Sequence, residues 1–94
     1  MALEFEWDPR KDAANLEKHG VSFEEAASVF GDPLGRIVSD PRHSQDEERL
    51  VLLGLSSKQR LLAVMFTDRG ETIRIISGRE VTRSERKNYA EGLN

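Results

Sequence analysis

Three kinds of hydrophobic pattern follow one another along this chain, and each change of period marks an element. Leu3-Glu4-Phe5-Glu6-Trp7 alternates apolar and acidic residues, the period of a half-buried strand. Asp8-Pro9 ends that strand and opens a helix over residues 9–18, with Asp8 as N-cap and Pro9 at the first helical position. Ala13, Ala14 and Leu16 form its expected inward face. Gly20 supplies a left-handed stop, and Lys18 and His19 fall in the last turn, where positive charge suits the helix dipole. Ser22 and Glu25 then read as a capping box, with Val21 and Ala26 as the accompanying staple. The second helix is expected over residues 23–30, ending at Gly31-Asp32-Pro33.

The second half of the chain changes to a β period. A short strand is expected around Ile37-Val38, followed by a polar, turn-rich stretch from Asp40 to Asp46 that reads as a mobile loop. Residues 48–55 and 60–67 are nearly continuous apolar runs, joined across Ser56-Ser57-Lys58-Gln59. Such runs suit central strands covered by helices. Residues 72–77 form the next strand, paired through a tight turn at Arg69-Gly70 in which glycine fits a positive φ. Thr82 with Glu85 makes a second capping box, opening a last helix that runs to about residue 91. The order is β-α-α-β-β-β-β-α. The class is α+β, an antiparallel sheet covered by helices, in one domain over residues 1–94.

Composition narrows the class further. Ninety-four residues support a single core, and 37% hydrophobic with 33% charged residues is globular but charge-rich. Without cysteine there is no disulfide framework and no thiolate zinc site, which is compatible with a reducing cytoplasm. No apolar run approaches the ~20 residues that span a bilayer. The acidic N-terminus does not have the form of a signal peptide. A cytoplasmic, soluble protein is expected.

Charge is unevenly placed. Residues 69–87 hold six basic side chains and three acidic ones, a net of +3 in a chain of net −3, so the remainder carries −6. Arg69, Arg74 and Arg79 recur five residues apart through the β pattern, and Arg83, Arg86 and Lys87 follow. The planar guanidinium fork suits phosphate. In a regular strand, however, that spacing puts Arg74 on the opposite face from Arg79. The plainer reading of Arg74 is a solvated strand face paired with Glu48 or Glu71. Lys18 and His19 are equally well explained by dipole complementarity, and Trp7 and Tyr89 by packing. His43 has no partner pattern. No metal-ligand spacing and no glycine-rich phosphate loop is present.

Phe5-Glu6-Trp7-Asp8-Pro9, Asn15, Lys18-His19-Gly20-Val21-Ser22-Phe23-Glu24-Glu25-Ala26, Val29-Phe30 and Asp32-Pro33 resemble the BrnT toxin family. Glu48-Arg49, Thr67-Asp68-Arg69-Gly70, Arg74-Ile75-Ile76-Ser77, Arg79, Thr82, Glu85-Arg86 and Tyr89 continue the resemblance along almost the whole chain. Gly78 departs from it, standing where alanine is common. The resemblance implies a RelE-like fold and the toxin of a type II toxin–antitoxin system, an endoribonuclease that cuts (m)RNA without a metal or other cofactor. It also implies hetero-oligomerisation with a ribbon-helix-helix, BrnA-like antitoxin, through which alone operator DNA is bound, and no membrane partner.

Such cleavage needs a group to take the 2′-hydroxyl proton, charge stabilisation at the phosphorane and a proton for the 5′-oxygen. Lys18 and His19 are the acid–base candidates, Arg69 and Arg79 the transition-state binders, and Arg74, Glu48, Arg83 and Arg86 the substrate-binding candidates. A histidine titrates near neutrality without large tuning. The rival expectation is a non-catalytic module whose basic face only docks RNA or an antitoxin. A third treats these charges as a solvated face.

Overall fold

The computed structural model describes residues 3–39 and 49–92. Glu48, His43 and the loop expected from Asp40 to Asp46 lie outside the described residues. The elements follow the expected order: β1 (Glu4–Glu6), α1 (Pro9–His19), α2 (Phe23–Ser28), a 3-10 turn (Val29–Gly31), β2 (Arg36–Ser39), β3 (Leu50–Leu55), β4 (Leu61–Asp68), β5 (Thr72–Glu80) and α3 (Arg83–Glu91). All five strands join one sheet in the order β1-β5-β4-β3-β2. β2 to β5 form an antiparallel meander, while β1 lies parallel to β5. The antiparallel expectation thus holds for four strands and not for the first. No hairpin ties β1 to its neighbour; most of the chain separates them, so nothing local dictates an antiparallel sense. The class is α+β.

Strand alternation gives the sheet two covered faces. Leu52, Leu62, Val64, Phe66, Ile73 and Ile75 on one face meet Val21, Phe23, Ala26 and Val29 from α2 and its flanks. Val51, Leu53, Leu61 and Ala63 on the other meet Tyr89 of α3. Helices on both sides explain why β3 and β4 are apolar at nearly every position. Trp7 packs edge-on against Phe23, with ring centroids 6.1 Å apart.

The α1 helix departs from expectation in the face it buries. Ala13, Ala14 and Leu16 point outward, Leu16 being 51% exposed, while Asn15 is the buried residue at 7%. The docking stripe is polar: Asp12, Asn15 and His19, at helical spacing, are its less exposed positions. Hydrogen bonds replace apolar burial here. Asp12 Oδ1 accepts from the Phe23 N–H at 2.8 Å. Asn15 Nδ2 donates to the carbonyls of Val21 and Gly78, both at 2.8 Å, and its Oδ1 accepts from the Gly78 N–H at 3.2 Å. One amide therefore substitutes for a neighbouring strand at the edge of β5. Gly78 also gives α2 room, since a Cβ there would lie 3.2 Å from Ala26 Cβ and 3.4 Å from Val21 Cγ1.

The expected helix caps are present with one exception. Asp8 accepts from the Arg10 N–H, and Gly20 takes φ 70° at the end of α1. Thr82 and Glu85 complete a reciprocal capping box on α3. Ser22 caps Glu25 N–H, but the Glu25 carboxylate turns to Arg60 and Ser56 Oγ instead of closing its box. Asp32 ties three elements together, accepting from Leu34 N–H at 2.9 Å, and from Leu55 N–H and the Tyr89 hydroxyl at 2.8 Å each. Burial alone would raise its pKa, but these donors outweigh that and hold it below the usual carboxylate range. Burial, and then the Asp32 carboxylate, push the Tyr89 phenol up.

Candidate active site

The basic residues are organised by β5, and by one irregularity in it. Met65 pairs with Ser77 and Phe66 with Ile75, so Ile76 is an extra residue, a β-bulge. Arg79 pairs with Ala63 and Arg74 with Thr67. Ala63 and Thr67 are four apart on a regular strand and share a face, so Arg74 and Arg79 share it too. The bulge corrects the phase that five-residue spacing would otherwise spoil. The Arg69 N–H donates to the Thr72 carbonyl at 2.9 Å, which extends the ladder by one pair and brings Arg69 onto that face as well.

That same bond fixes the turn. Gly70 takes φ 83° and its N–H donates to Asp68 Oδ1 at 3.0 Å, so the two loop residues are Gly70 and Glu71, one place later than expected. Thr72 and Arg79 stand seven residues apart on one strand, roughly 20 Å along it. Arg69 and Arg79 are therefore at opposite ends of the face, too distant to hold one phosphate between them.

Arg74 and Arg79 each meet a carboxylate. Arg74 Nη1 donates to Glu6 Oε2 at 2.9 Å, across the parallel pairing of β1 with β5, where Glu6 stands opposite Arg74. Among the described residues its partner is Glu6 and not the expected Glu71, while Glu48 lies outside them. Arg79 donates from Nη1 to Glu85 Oε1 at 2.7 Å and from Nη2 to Oε2 at 3.0 Å, a bidentate clamp. Arg79 holds the Glu85 carboxyl below its ordinary range against the opposing effect of burial, and the Thr82 N–H adds to the lowering.

Lys18 and His19 end α1 beside the stretch of β5 that β1 does not cover. With Lys11, Ala14, Asn15, Ile76 and Ser77 they line an open groove of about 230 Å³. Ser77 lies two residues from Arg79 and three from Arg74, so the groove meets the arginine face along the edge of β5. Arg83 and Arg86 are exposed on α3, beyond the clamp. The structure thus sets Lys18 and His19 beside Ile76 and Ser77 in the middle of β5, and lines Arg69, Arg74 and Arg79 in that order along one face, with Arg74 nearer the Arg69 end.

Sequence reasoning overlooked Glu6, Glu85 and Lys11 as neighbours of these groups. The awkward arginine spacing was itself a signal for the bulge, and the i, i+3, i+7 run of Asp12, Asn15 and His19 marked the docked face of α1. Among the described residues no three His, Cys, Asp or Glu side chains are grouped to hold a metal ion. None of the described helices is long and apolar enough to cross a membrane.

The fold defines a class first. It is shared with the crystal structure of the Brucella abortus ribonuclease toxin, BrnT, at a TM-score of 0.64 and 21% identity, over 87% of this chain and 100% of that one. Residues 7–85 match the family of the ribonuclease toxin BrnT of type II toxin–antitoxin systems, and the chain belongs to that family. Among curated proteins none matches it.

Proposed function

We propose that this toxin is a metal-independent endoribonuclease that cleaves single-stranded RNA, mRNA in the cytoplasm, by attack of the ribose 2′-hydroxyl on the adjacent phosphate. The observation that carries the reading is the bulge at Ile76, which lines Arg74 and Arg79 along one face beside a groove holding Lys18 and His19. Guanidinium groups there supply fixed positive charge where the phosphorane develops its own negative charge. His19 is suited to move the proton, and Lys18 to neutralise phosphate at the same groove. Arg69, at the far end of the face, reaches a neighbouring nucleotide rather than the scissile one. Arg83 and Arg86 extend the basic track along α3. The partner is a cognate ribbon-helix-helix antitoxin that covers this face in a hetero-oligomer, and operator DNA is met only through it.

The test is cleavage of single-stranded RNA by purified protein in EDTA, beside Arg79→Ala, Arg69→Ala and His19→Ala. Cutting in chelator that Arg79→Ala abolishes, Arg69→Ala weakens mainly through KM and His19→Ala slows by about 100-fold or more is the expected result. Folded parent protein that binds RNA yet never cuts it would instead favour a docking module.

A further inference from the structure

We infer that Glu85 is a positioning residue for this reaction, setting the plane and effective charge of the Arg79 guanidinium. The inference rests on the proposed role of Arg79. Two observations carry it. Both carboxylate oxygens of Glu85 are engaged by Arg79, at 2.7 and 3.0 Å, in a pair whose side chains are only 26% and 21% exposed. Glu85 is itself held to the backbone, because its Oε1 accepts from the Thr82 N–H at 2.9 Å while its own N–H donates to Thr82 Oγ1 at 3.2 Å.

A carboxylate that only balanced charge would not need to be fixed twice. Here the capping box makes Glu85 part of the rigid first turn of α3, and the bidentate contact passes that rigidity to a strand arginine. The helix is anchored in turn, through the Tyr89 hydroxyl on Asp32 and through Arg36 Nη1 on the Asn88 carbonyl at 3.0 Å. A chain of directional bonds therefore runs from Asp32, just after the 3-10 turn, through α3 to Arg79. An end-on clamp leaves the guanidinium few orientations, and electrostatic stabilisation depends on having none to search when charge develops. The carboxylate also tempers the cation, so substrate is held less tightly than a bare arginine would hold it.

Two opposite effects follow when the charge is removed but the cap is kept. Glutamine serves in a capping box as glutamate does. Glu85→Gln should fold with its cap kept, losing only the stability that the charged pair adds, and should lower kcat by about tenfold or more and lower KM. The slope of log affinity against log salt, read with an uncleavable 2′-O-methyl RNA, should steepen by up to about 0.7, one single-strand phosphate equivalent. In an Arg79→Ala background the Glu85→Gln change should leave affinity for the 2′-O-methyl RNA and its salt slope unaltered, as the route runs only through the arginine.

Parent-like kcat and KM in Glu85→Gln, with Arg79→Ala inactive, would overturn this inference alone. Parent-like turnover in Arg79→Ala would sink the underlying reading of the arginine. Should Glu85→Gln prove unstable, Thr82→Ala separates the two roles: it weakens the cap by about 1 kcal/mol and leaves the charge. Loss of stability with parent kcat in that variant, and loss of kcat in Glu85→Asp, whose shorter arm cannot meet both nitrogens, would uphold the inference; parent kcat in both would end it.

Discussion

Glu25 and Glu85 each stand three residues after a hydroxyl N-cap, and packing sends them to different ends. Glu85 is partly exposed and keeps its box. Glu25 is 3% exposed, and its carboxylate is taken by Arg60, which also donates to the Gly20 carbonyl at 2.8 Å. That pair ties the α1–α2 connection to the β3–β4 turn. Arg60 holds the Glu25 carboxyl below the ordinary glutamate value of 4.5, against the opposing effect of burial. A lowered folded pKa means that the native state binds fewer protons than the unfolded chain. The stabilisation is therefore present above pH 4.5 and is lost as pH falls through the folded value. Glu25→Gln should cost about 2 kcal/mol at pH 7, because Arg60 loses its charged partner beside a buried amide. Urea unfolding at pH 7 and pH 3 checks the sign: the gap between parent and variant should narrow in acid, and a constant gap would refute the linkage.

At the scale of elements, close approach decides more than propensity does. Gly54 sits inside β3, where a strand would ordinarily prefer a side chain. A Cβ there would stand 2.9 Å from Val29 Cγ1 and 3.1 Å from Asp32 Oδ2, so the 3-10 turn rests directly on the glycine. Gly54→Ala must displace that turn and disturb the aspartate that holds Leu34, Leu55 and Tyr89. Overpacking of this kind costs about 1–3 kcal/mol, which lowers Tm by at least roughly 4 °C in a domain of this size. An unchanged Tm in a thermal melt would mean that the turn moves freely. The α1 helix makes the complementary point. Its short, polar docking stripe could be placed by hydrogen bonds with few apolar contacts, so a reading based on apolar periodicity chose the wrong face.

For the whole molecule, the question is how a chain of net −3 presents a local cationic surface. Glu6 and Glu85 lie on β1 and α3, near the two ends of the chain, yet each meets an arginine of β5. The basic face is thus interleaved with carboxylates. Generic attraction for polyanions is muted, and an oriented strand is favoured over an arbitrary one. Contact with three or four phosphates of single-stranded RNA gives a slope of log affinity against log salt of about −2 to −3. Titration of the 2′-O-methyl RNA should show this, and Arg74→Ala should reduce the slope by about 0.7. A slope near zero would remove RNA from this face.

Element order, helix starts and stops, the hairpin glycine and the α+β class were legible from sequence, because each depends on residues within a few positions of one another. Asp8-Pro9, Gly20, Thr82 with Glu85, and Gly70 carry their reasons locally. The cationic candidates were legible as residue types. Their arrangement was not. Whether five-residue spacing splits or aligns Arg74 and Arg79 depends on the bulge at Ile76, and that exists only in the pairing of β5 with β4. The direction of β1, the Glu6 and Glu85 partners and the inward turn of Asn15 likewise arise between segments far apart in the chain. Local sequence determines what each segment is able to be. Only the assembled sheet, where register and burial are settled together, decides which charges meet.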